Sequence, residues 1–242
     1  MKRILAAVLA ILIFIVFALA FAKIPFGEKM STYPNYTEPL LNSTSNMSLP
    51  QHYLTYGKKE TGATNMVTAI VVDYRGFDTL GEVTVLFLAA TGVGSLMYVE
   101  DKQRRRVRKS NAVVETGSKL LFGFIILFGG YIFIHGHLTP GGGFPGGAVI
   151  ASAFLLLYLA YPKFHANHKR LNVSESLAGL TYVIVGLLGL VLAGYFLYNF
   201  LPFGIPTYLF SAGVIPVIYT AIGVKVGSEL TGIVDAMMGV RE

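Results

Sequence analysis

The 242-residue chain is 54% hydrophobic and 13% charged, with a net charge of +6 and neither Cys nor Trp. A soluble domain carries about 45–50% apolar and about 25% charged residues, so this chain has more apolar surface than a soluble core can hide. The lack of Cys excludes disulfides, iron–sulfur ligation and a thiol nucleophile from this chain. Much of the positive charge lies in one run, residues 102–109, which in a membrane protein is a topology signal, and we expect no nucleic-acid partner.

The apolar residues form long blocks, which predict membrane-spanning helices. In chain order the blocks cover residues 4–22, 79–99, 113–134, 148–161, 177–201 and 208–226. The predicted fold class is therefore all-α integral membrane, with about six transmembrane helices. The first block, within residues 1–22, also resembles a signal peptide with small-residue cleavage sites, and we interpret it as a retained N-terminal helix.

The segment from residue 23 to residue 61 is rich in Pro, Asn, Ser and Thr and shows no apolar periodicity, so it is predicted to be a loop outside the membrane. Asn-x-Ser/Thr triplets start at Asn35, Asn42 and Asn46 and are possible glycan acceptors on an extracytoplasmic face.

An apolar stripe with helical spacing precedes the second span. Its members are Val67, Ile70, Val71 and Tyr74. The stripe predicts a short helix, which Asp73 and Arg75 make too polar to cross the bilayer. We expect this amphipathic helix to lie along the membrane surface.

The basic loops set the predicted orientation, because Lys and Arg accumulate on the cytoplasmic side. With both termini in the cytoplasm, the basic segments 102–109 and 163–170 lie inside. The segment 23–61 and a glycine-rich loop after the third span then lie outside. The chain is accordingly predicted to be a multi-pass protein of the cell membrane.

Carboxylates at the outer end of the second span are the strongest candidates for an ion path. An ionised group at membrane depth costs roughly 2.5–3.5 kcal/mol on insertion scales. Glu82 follows Asp78 by one helical turn, so the two share a helix face, and with Asp73 they could coordinate or relay a cation. Alternatively, Asp78 caps the helix and Glu82 adds negative charge to its first turn.

Two lysines fall inside predicted spans. Lys119 is a further ion-path candidate, with the alternatives that it pairs with Glu115 or snorkels towards the cytoplasm. Lys225, near the predicted inner end of the last span, is expected to snorkel. Residues 227–242 are expected to form a short amphipathic tail.

His135 and His137 flank a glycine at the outer end of the third span. Their spacing permits metal ligation, but neither a Cys nor a third nearby His completes a site, so proton exchange or hydrogen bonding is favoured and no metal is expected. The loop that follows contains Pro140, Gly141, Gly142, Gly143, Gly146 and Gly147. This loop lacks the Lys-Ser/Thr ending of a nucleotide-binding loop, and it is predicted to allow close backbone packing or to line a water-filled entry.

Two segments resemble known families. Residues 65–82 resemble a segment near the C-terminal end of the large subunit of Mrp-type sodium/proton antiporters, and the small subunit carrying it in archaeal membrane-bound hydrogenases and sulfane reductases. Residues 135–147 resemble the signature of the antiporter's B subunit. Residues 1–61 resemble no family.

The resemblance implies a large-subunit-like segment at residues 62–110 and a B-subunit-like domain with four spans at residues 111–242. The implied function is that of a non-catalytic subunit, without its own cofactor, in a Na⁺/H⁺ antiporter or in the antiporter module of a respiratory complex. Implied partners are antiporter-type membrane subunits, hydrogenase-like and iron–sulfur subunits, and lipid. A purely architectural subunit remains the alternative, and an intramembrane metalloenzyme based on His135 and His137 is the least favoured hypothesis.

Overall fold

The computed structural model describes residue 15 and residues 48–99, 111–161 and 164–238. Helix α1 (Leu49–Thr61) is followed by the very short helix α2 (Met66–Thr68), which continues into a π-helix (Ala69–Tyr74). Five longer helices complete the order: α3 (Gly76–Val99), α4 (Ala112–Ile134), α5 (Gly143–Ala160), α6 (His168–Ala193) and α7 (Ile215–Met238). Of two compact units, Met1–Thr55 and Tyr56–Glu242, the second contains all contacts described below.

Each helix from α3 to α7 is long and apolar enough to cross a membrane. The predicted all-α membrane fold is therefore confirmed. The predicted first span lies outside the described residues apart from Ile15, and so do the three glycan-acceptor asparagines and the basic run 102–109.

The second and third predicted spans agree with α3 and α4 to within one turn. Asn111 fixes the start of α4, because its side-chain oxygen accepts a hydrogen bond from the Val113 amide at 3.3 Å. The segment 49–61, predicted as loop, forms α1 instead. This helix is rich in polar residues, so a search for long apolar blocks could not have revealed it.

The fourth span begins at Gly143, five residues earlier than the prediction of 148, because much of the glycine-rich segment is helical. Pro145 lies in the first turn of α5, where its missing N–H costs no hydrogen bond. The glycines there pack against neighbouring helices, and this tertiary contact offsets their poor helix propensity.

The fifth span, predicted at 177–201, is shifted towards the N-terminus in α6. Asn167 caps α6 by accepting a hydrogen bond from the Arg170 amide at 3.2 Å, so the basic residues after it belong to the helix. Gly194, with φ of 78°, adopts the left-handed conformation that ends α6.

The sixth span, predicted at 208–226, begins at Ile215 and continues to Met238. Pro216 lies in its first turn, a position compatible with the proline ring. The expected separate tail from residue 227 is therefore wrong over the described residues, because the helix runs through it without a break. Lys225 consequently lies near the middle of α7 and not near its end.

The connection between α6 and α7 folds back onto α6. The Leu197 amide donates to the Gly186 carbonyl at 3.2 Å, and the Phe196 ring fills the space beside Gly186. Asn199 holds the far side by donating to the Ala212 carbonyl at 3.1 Å and accepting from the Val214 amide at 2.9 Å. The connection is thus a packed cover over α6.

Helix α7 is the centre of the bundle and contacts α3, α4, α5 and α6. Its buried apolar residues share one core with the π-helix and α6. The core includes Val72, Tyr182, Ile215, Ile218, Ile222 and Val226. Helix α3 is the least buried span, so most of its surface faces outward from this chain.

The predicted amphipathic helix exists as α2 and the π-helix. Val67 and Val71 of the predicted stripe are exposed on this chain, whereas Thr68, Ala69 and Val72 are buried against the rest of it. The wider turn of the π-helix changes which residues share a face.

Candidate functional site

Helix α2 is attached to the glycine-rich loop and to α7 by a neutral hydrogen-bond cluster. The Thr68 hydroxyl donates to the Gly136 carbonyl at 2.7 Å and lies 2.8 Å from the Tyr219 hydroxyl. The side-chain amide of Asn65 donates to the carbonyls of Gly136 at 2.9 Å and Thr139 at 3.0 Å. This cluster fixes, without ionised groups, the end of the bundle that carries the glycine-rich loop, named the outer end after the predicted orientation.

The glycine-rich loop is a close-packing device. A Cβ added at Gly136 would lie 2.8 Å from the Tyr219 ring, and one at Gly143 would lie 2.4 Å from Ile222. Other positions meet backbone or the same ring at short range. These positions are Gly142 beside Tyr219, Gly146 beside the Gly129 carbonyl, and Gly147 beside the Gly223 carbonyl. Pro140 and Gly141 lie at the exposed tip, where Gly141 has φ of 157°.

The two histidines of the loop have different surroundings. His135 stacks on Tyr131 with ring centroids 4.2 Å apart. His137 is fully buried, and burial lowers the pKa of its imidazole below its usual value of 6.5. The described residues hold no group of three His, Cys, Asp or Glu side chains placed to bind a metal ion.

Asp73, carried by the π-helix, faces a cavity of about 230 Å³ lined also by Glu60 and Asn199. Burial raises the pKa of the Asp73 carboxyl to about 6, a hydrogen bond with Asn199 opposes the shift, and the Glu60 carboxylate adds to it. Glu60 in turn accepts a short hydrogen bond from the Tyr74 hydroxyl. Asp73 therefore changes its protonation near neutral pH.

Asp78 and Glu82 occupy the outer end of α3, as the sequence indicates. Asp78 pairs with Arg75, with 2.6 Å between Nη2 and Oδ2, so its carboxylate already has a cationic neighbour. Glu82 is exposed on the outer surface of α3. A carboxylate at this depth requires water, a cation or a polar group from another chain.

Lys119 is exposed on α4, and its Nζ lies 5.2 Å from the centroid of the Tyr161 ring. This is the geometry of a cation–π contact. The residue thus borders the end of the bundle where α4 begins and α5 ends.

An ionised cluster that the sequence did not reveal lies inside the bundle. Lys225 Nζ is 2.6 Å from Oε1 of Glu229, one turn further along α7, and 3.7 Å from Oε1 of Glu175 on α6. The Glu229 side chain is fully buried, and the Lys225 side chain is 13% exposed. Two carboxylates and one ammonium group thus share a space near the middle of a membrane helix.

A second polar cluster lies towards the end of α7. Buried Asp235 accepts a short hydrogen bond from the Tyr158 hydroxyl, and its Oδ2 lies 2.6 Å from Nε2 of His168. The Tyr158 oxygen also accepts from the Ala166 amide at 2.9 Å. These bonds join the ends of α5, α6 and α7.

The missed residues carried a detectable signal. Lys225 and Glu229 are spaced i, i+4, which favours a pair on one helix face. The helix that contains both residues continues through Gly227 and Gly232. Placing the last span seven residues too early assigned Glu229 and Asp235 to a tail outside the membrane. Proline favours the first turn of a helix, so a predicted start at Pro216 would have placed both residues within the span.

Two family models match this chain. Residues 24–119 match the model of MbhE, the E subunit of MBH, and residues 113–232 match the model of a domain related to the MnhB subunit of Na⁺/H⁺ antiporter. The first match begins within the segment that showed no resemblance by sequence. The two matches overlap at residues 113–119, in the first two turns of α4.

Similar proteins support both matches. A chain in the structure of the membrane-bound sulfane sulfur reductase (MBS), an archaeal respiratory membrane complex, is 48% identical, with a TM-score of 0.73 and 98% of each chain covered. A protein of Methanocaldococcus jannaschii is 30% identical over 194 residues, 69% of this chain and 74% of that protein. The B subunit of the Na⁺/H⁺ antiporter of Bacillus subtilis is 36% identical over 86 residues, 36% of this chain and 54% of that protein. The chain therefore belongs to the family of membrane subunits that join a segment of the MbhE type to a domain related to the MnhB subunit of Na⁺/H⁺ antiporters.

Proposed function

We propose that this chain is a non-catalytic membrane subunit of a multi-subunit cation/proton antiporter, or of the antiporter module of a respiratory complex, and that it contributes to an ion path. The similar proteins support this proposal, because one is a Na⁺/H⁺ antiporter subunit and another belongs to a respiratory membrane complex. Its partners are other antiporter-type membrane subunits. In a respiratory complex they include hydrogenase-like and iron–sulfur subunits.

The observation that carries the proposal is the Lys225–Glu229 pair near the middle of α7. Burying ions is costly, and buried pairs stabilise a fold little better than apolar residues of the same volume. Ionisable residues within membrane spans typically mark ion or proton pathways. With Glu175 within reach, the cluster can gain and lose a proton or exchange a cation while part of its charge stays balanced.

The outer carboxylates extend the proposed path towards the opposite membrane face. Asp73 changes protonation near neutral pH, and Glu82 faces outward from α3 towards a neighbouring subunit. His135, His137 and Lys119 border the two ends of the bundle and remain candidates for proton exchange. In the proposed orientation both termini are cytoplasmic, as the basic loops indicate.

Substitutions in the assembled complex test the proposal. Glu229→Gln and Glu82→Gln are each introduced, and everted vesicles are assayed for the pH change that follows addition of NaCl or KCl. We expect Glu229→Gln to reduce transport at least tenfold with the normal set of subunits. Glu115→Gln, a carboxylate outside the cluster on α4, is the matched control.

A purely architectural subunit is the competing function, and the glycine contacts of the loop favour it. In that case both carboxamide variants transport normally, and only substitutions that disturb packing have an effect. Normal transport in correctly assembled Glu229→Gln and Glu82→Gln complexes would contradict the ion-path proposal.

A further inference from the structure

A cavity of about 430 Å³ opens between α3, α6 and α7, and its largely apolar lining includes the polar side chains of Asn172, Glu175 and Ser228. Its wall on α6 runs from His168 to Ser176, and its wall on α7 runs from Ser228 to Ala236. These are the ends of the helices that adjoin the basic loop 163–170. With a rise of about 1.5 Å per residue, the α7 wall reaches about 15 Å inwards from the end of the helix at Met238.

The cavity ends at the ionised cluster. Glu175 and Glu229 line it, as does Phe87 of α3. Lys225 Nζ lies 5.0 Å from the centroid of the Phe87 ring, so lysine and ring together close the deep end. Beyond them α7 is packed in the apolar core.

The carboxylate oxygens of Glu229 lack a full set of hydrogen-bond donors among the residues that the structure describes. Lys225 approaches Oε1, but no described group donates a hydrogen bond to Oε2. A carboxylate accepts about four hydrogen bonds, and an unsatisfied buried oxygen costs about 1–3 kcal/mol or more when charged. The cavity is large enough for water, since one molecule occupies about 30 Å³ of liquid volume. Water there meets Glu175, whose side chain is 19% exposed, whereas the Glu229 oxygens lie buried directly behind the lining.

We infer that this cavity is a water-filled vestibule, open at the basic-loop end, that brings the aqueous phase on that side to Glu175, beside the buried Lys225–Glu229 pair. The inference deepens the proposed function and rests on it, since it supplies the route by which the ion-path carboxylates exchange protons or monovalent cations. Two carboxylates and one ammonium give the deep end a formal charge of −1. The vestibule therefore favours cations over anions.

The native absence of Cys provides a direct test in the whole complex, because an introduced cysteine is the sole thiol of this chain. Gly94 lines the cavity and Gly117 of α4 does not, and both lie five residues from the basic-loop ends of their helices. A Cβ at either position meets nothing within 4 Å, so both variants should fold. Gly94→Cys and the exposed lining variant Asn172→Cys are compared with Gly117→Cys.

Everted vesicles are treated with a membrane-impermeant cationic methanethiosulfonate, and labelling of this chain is followed by mass shift. We expect Gly94→Cys and Asn172→Cys to react at least tenfold faster than Gly117→Cys. The cationic reagent should also react at Gly94→Cys several-fold faster than its anionic counterpart. Adding Glu175→Gln should reduce that ratio.

Labelling of both cavity variants as slow as that of Gly117→Cys would overturn the vestibule, and so would an equal rate for the two reagents. These labelling rates are measured without any assay of ion transport. If the cavity cysteines react rapidly but the Glu229→Gln complex transports normally, only the proposed function is contradicted. If the cavity cysteines react slowly but the Glu229→Gln complex has lost transport, only the vestibule is contradicted.

Discussion

The ion pair between Lys225 and Glu229 is the main interaction that offsets the cost of burying these two charges. Removing one partner of a buried pair leaves an uncompensated charge, which typically costs about 3–5 kcal/mol, whereas replacing both by apolar residues is often neutral. The short 2.6 Å contact and the full burial of Glu229 place this pair in that class. Single and double substitutions should therefore differ sharply.

We expect Lys225→Met to destabilise the chain by about 3–5 kcal/mol, and Lys225→Met combined with Glu229→Met to restore most of that loss. Heating the purified complex and measuring the fraction that still elutes as intact assembly checks this expectation. Equal losses in the single and double variants would show that the two side chains are not coupled.

Asp73 should make stability depend on pH with the opposite sign to an ordinary salt-bridged aspartate. Its carboxyl titrates near 3.8 when unfolded and near 6 when folded, so the folded chain binds more protons between these values. The free energy of unfolding therefore decreases as pH rises from 4 to 6 and stays at the lower level above 6.

Asp73→Asn should consequently raise the melting temperature at pH 8, by an amount corresponding to about 1–2 kcal/mol, and leave it unchanged near pH 4. Melting curves of both complexes over this range provide the measurement. Glu60→Gln should shift the transition to lower pH, because the Glu60 carboxylate contributes to the raised pKa. If Asp73→Asn changed the melting temperature by the same amount at all pH values, the raised pKa of Asp73 would be contradicted.

At the level of single residues, the sequence identified charges whose neighbours are close along the chain. Asp73, Asp78 and Glu82 lie in one unusual segment, and their positions near the outer end of α3 follow from helix spacing. Glu175 and Glu229 could not be paired in this way, because 54 residues of chain separate them. Their proximity depends on how α6 packs against α7.

At the level of helices, glycines determine how closely α5 approaches α7. A Cβ at Gly147 would lie 2.8 Å from the Gly223 carbonyl oxygen and 2.9 Å from the Gly227 amide nitrogen. Backbone cannot move aside as a flexible side chain can. In lipid such close approach replaces the hydrophobic drive that packs helices in water.

Gly147→Leu should therefore prevent stable accumulation of the subunit, with a loss above about 3 kcal/mol, in line with severe overpacking. Gly123→Leu on α4 is the matched control, because a Cβ there meets nothing within 4 Å. Quantitative immunoblots of membranes compare the two. Normal levels of Gly147→Leu would mean that α5 can shift away from α7 without loss of the fold.

Hydropathy predicted the existence of the described spans and placed the ends of α3 and α4 to within one turn, but it misplaced those of α5, α6 and α7. Two of these errors lie where glycine or proline was taken as a break: α5 starts within the glycine-rich segment, and α7 starts after a packed cover with left-handed residues at Thr207 and Ala212. Such ends depend on tertiary contacts, which a sequence pattern does not contain. The apolar middle of each span needs only local composition.

At the scale of the whole molecule, the two ends of the bundle differ in chemistry. Neutral hydrogen bonds centred on Thr68 and Tyr219 close the outer end. The other end carries Glu175, Glu229 and Asp235. Helix α3 turns most of its surface, Glu82 included, away from the rest of this chain.

The position of Lys225 near the midpoint of α7 has an electrical consequence. A transmembrane voltage falls mainly across the poorly hydrated part of a pathway, and moving one elementary charge through 100 mV is worth about 2.3 kcal/mol. With water in the inferred vestibule reaching Glu175 from one side, most of the voltage drop is concentrated over the remaining, tightly packed half of the helix. A proton or cation crossing that half would sense nearly the full membrane potential over about half the distance.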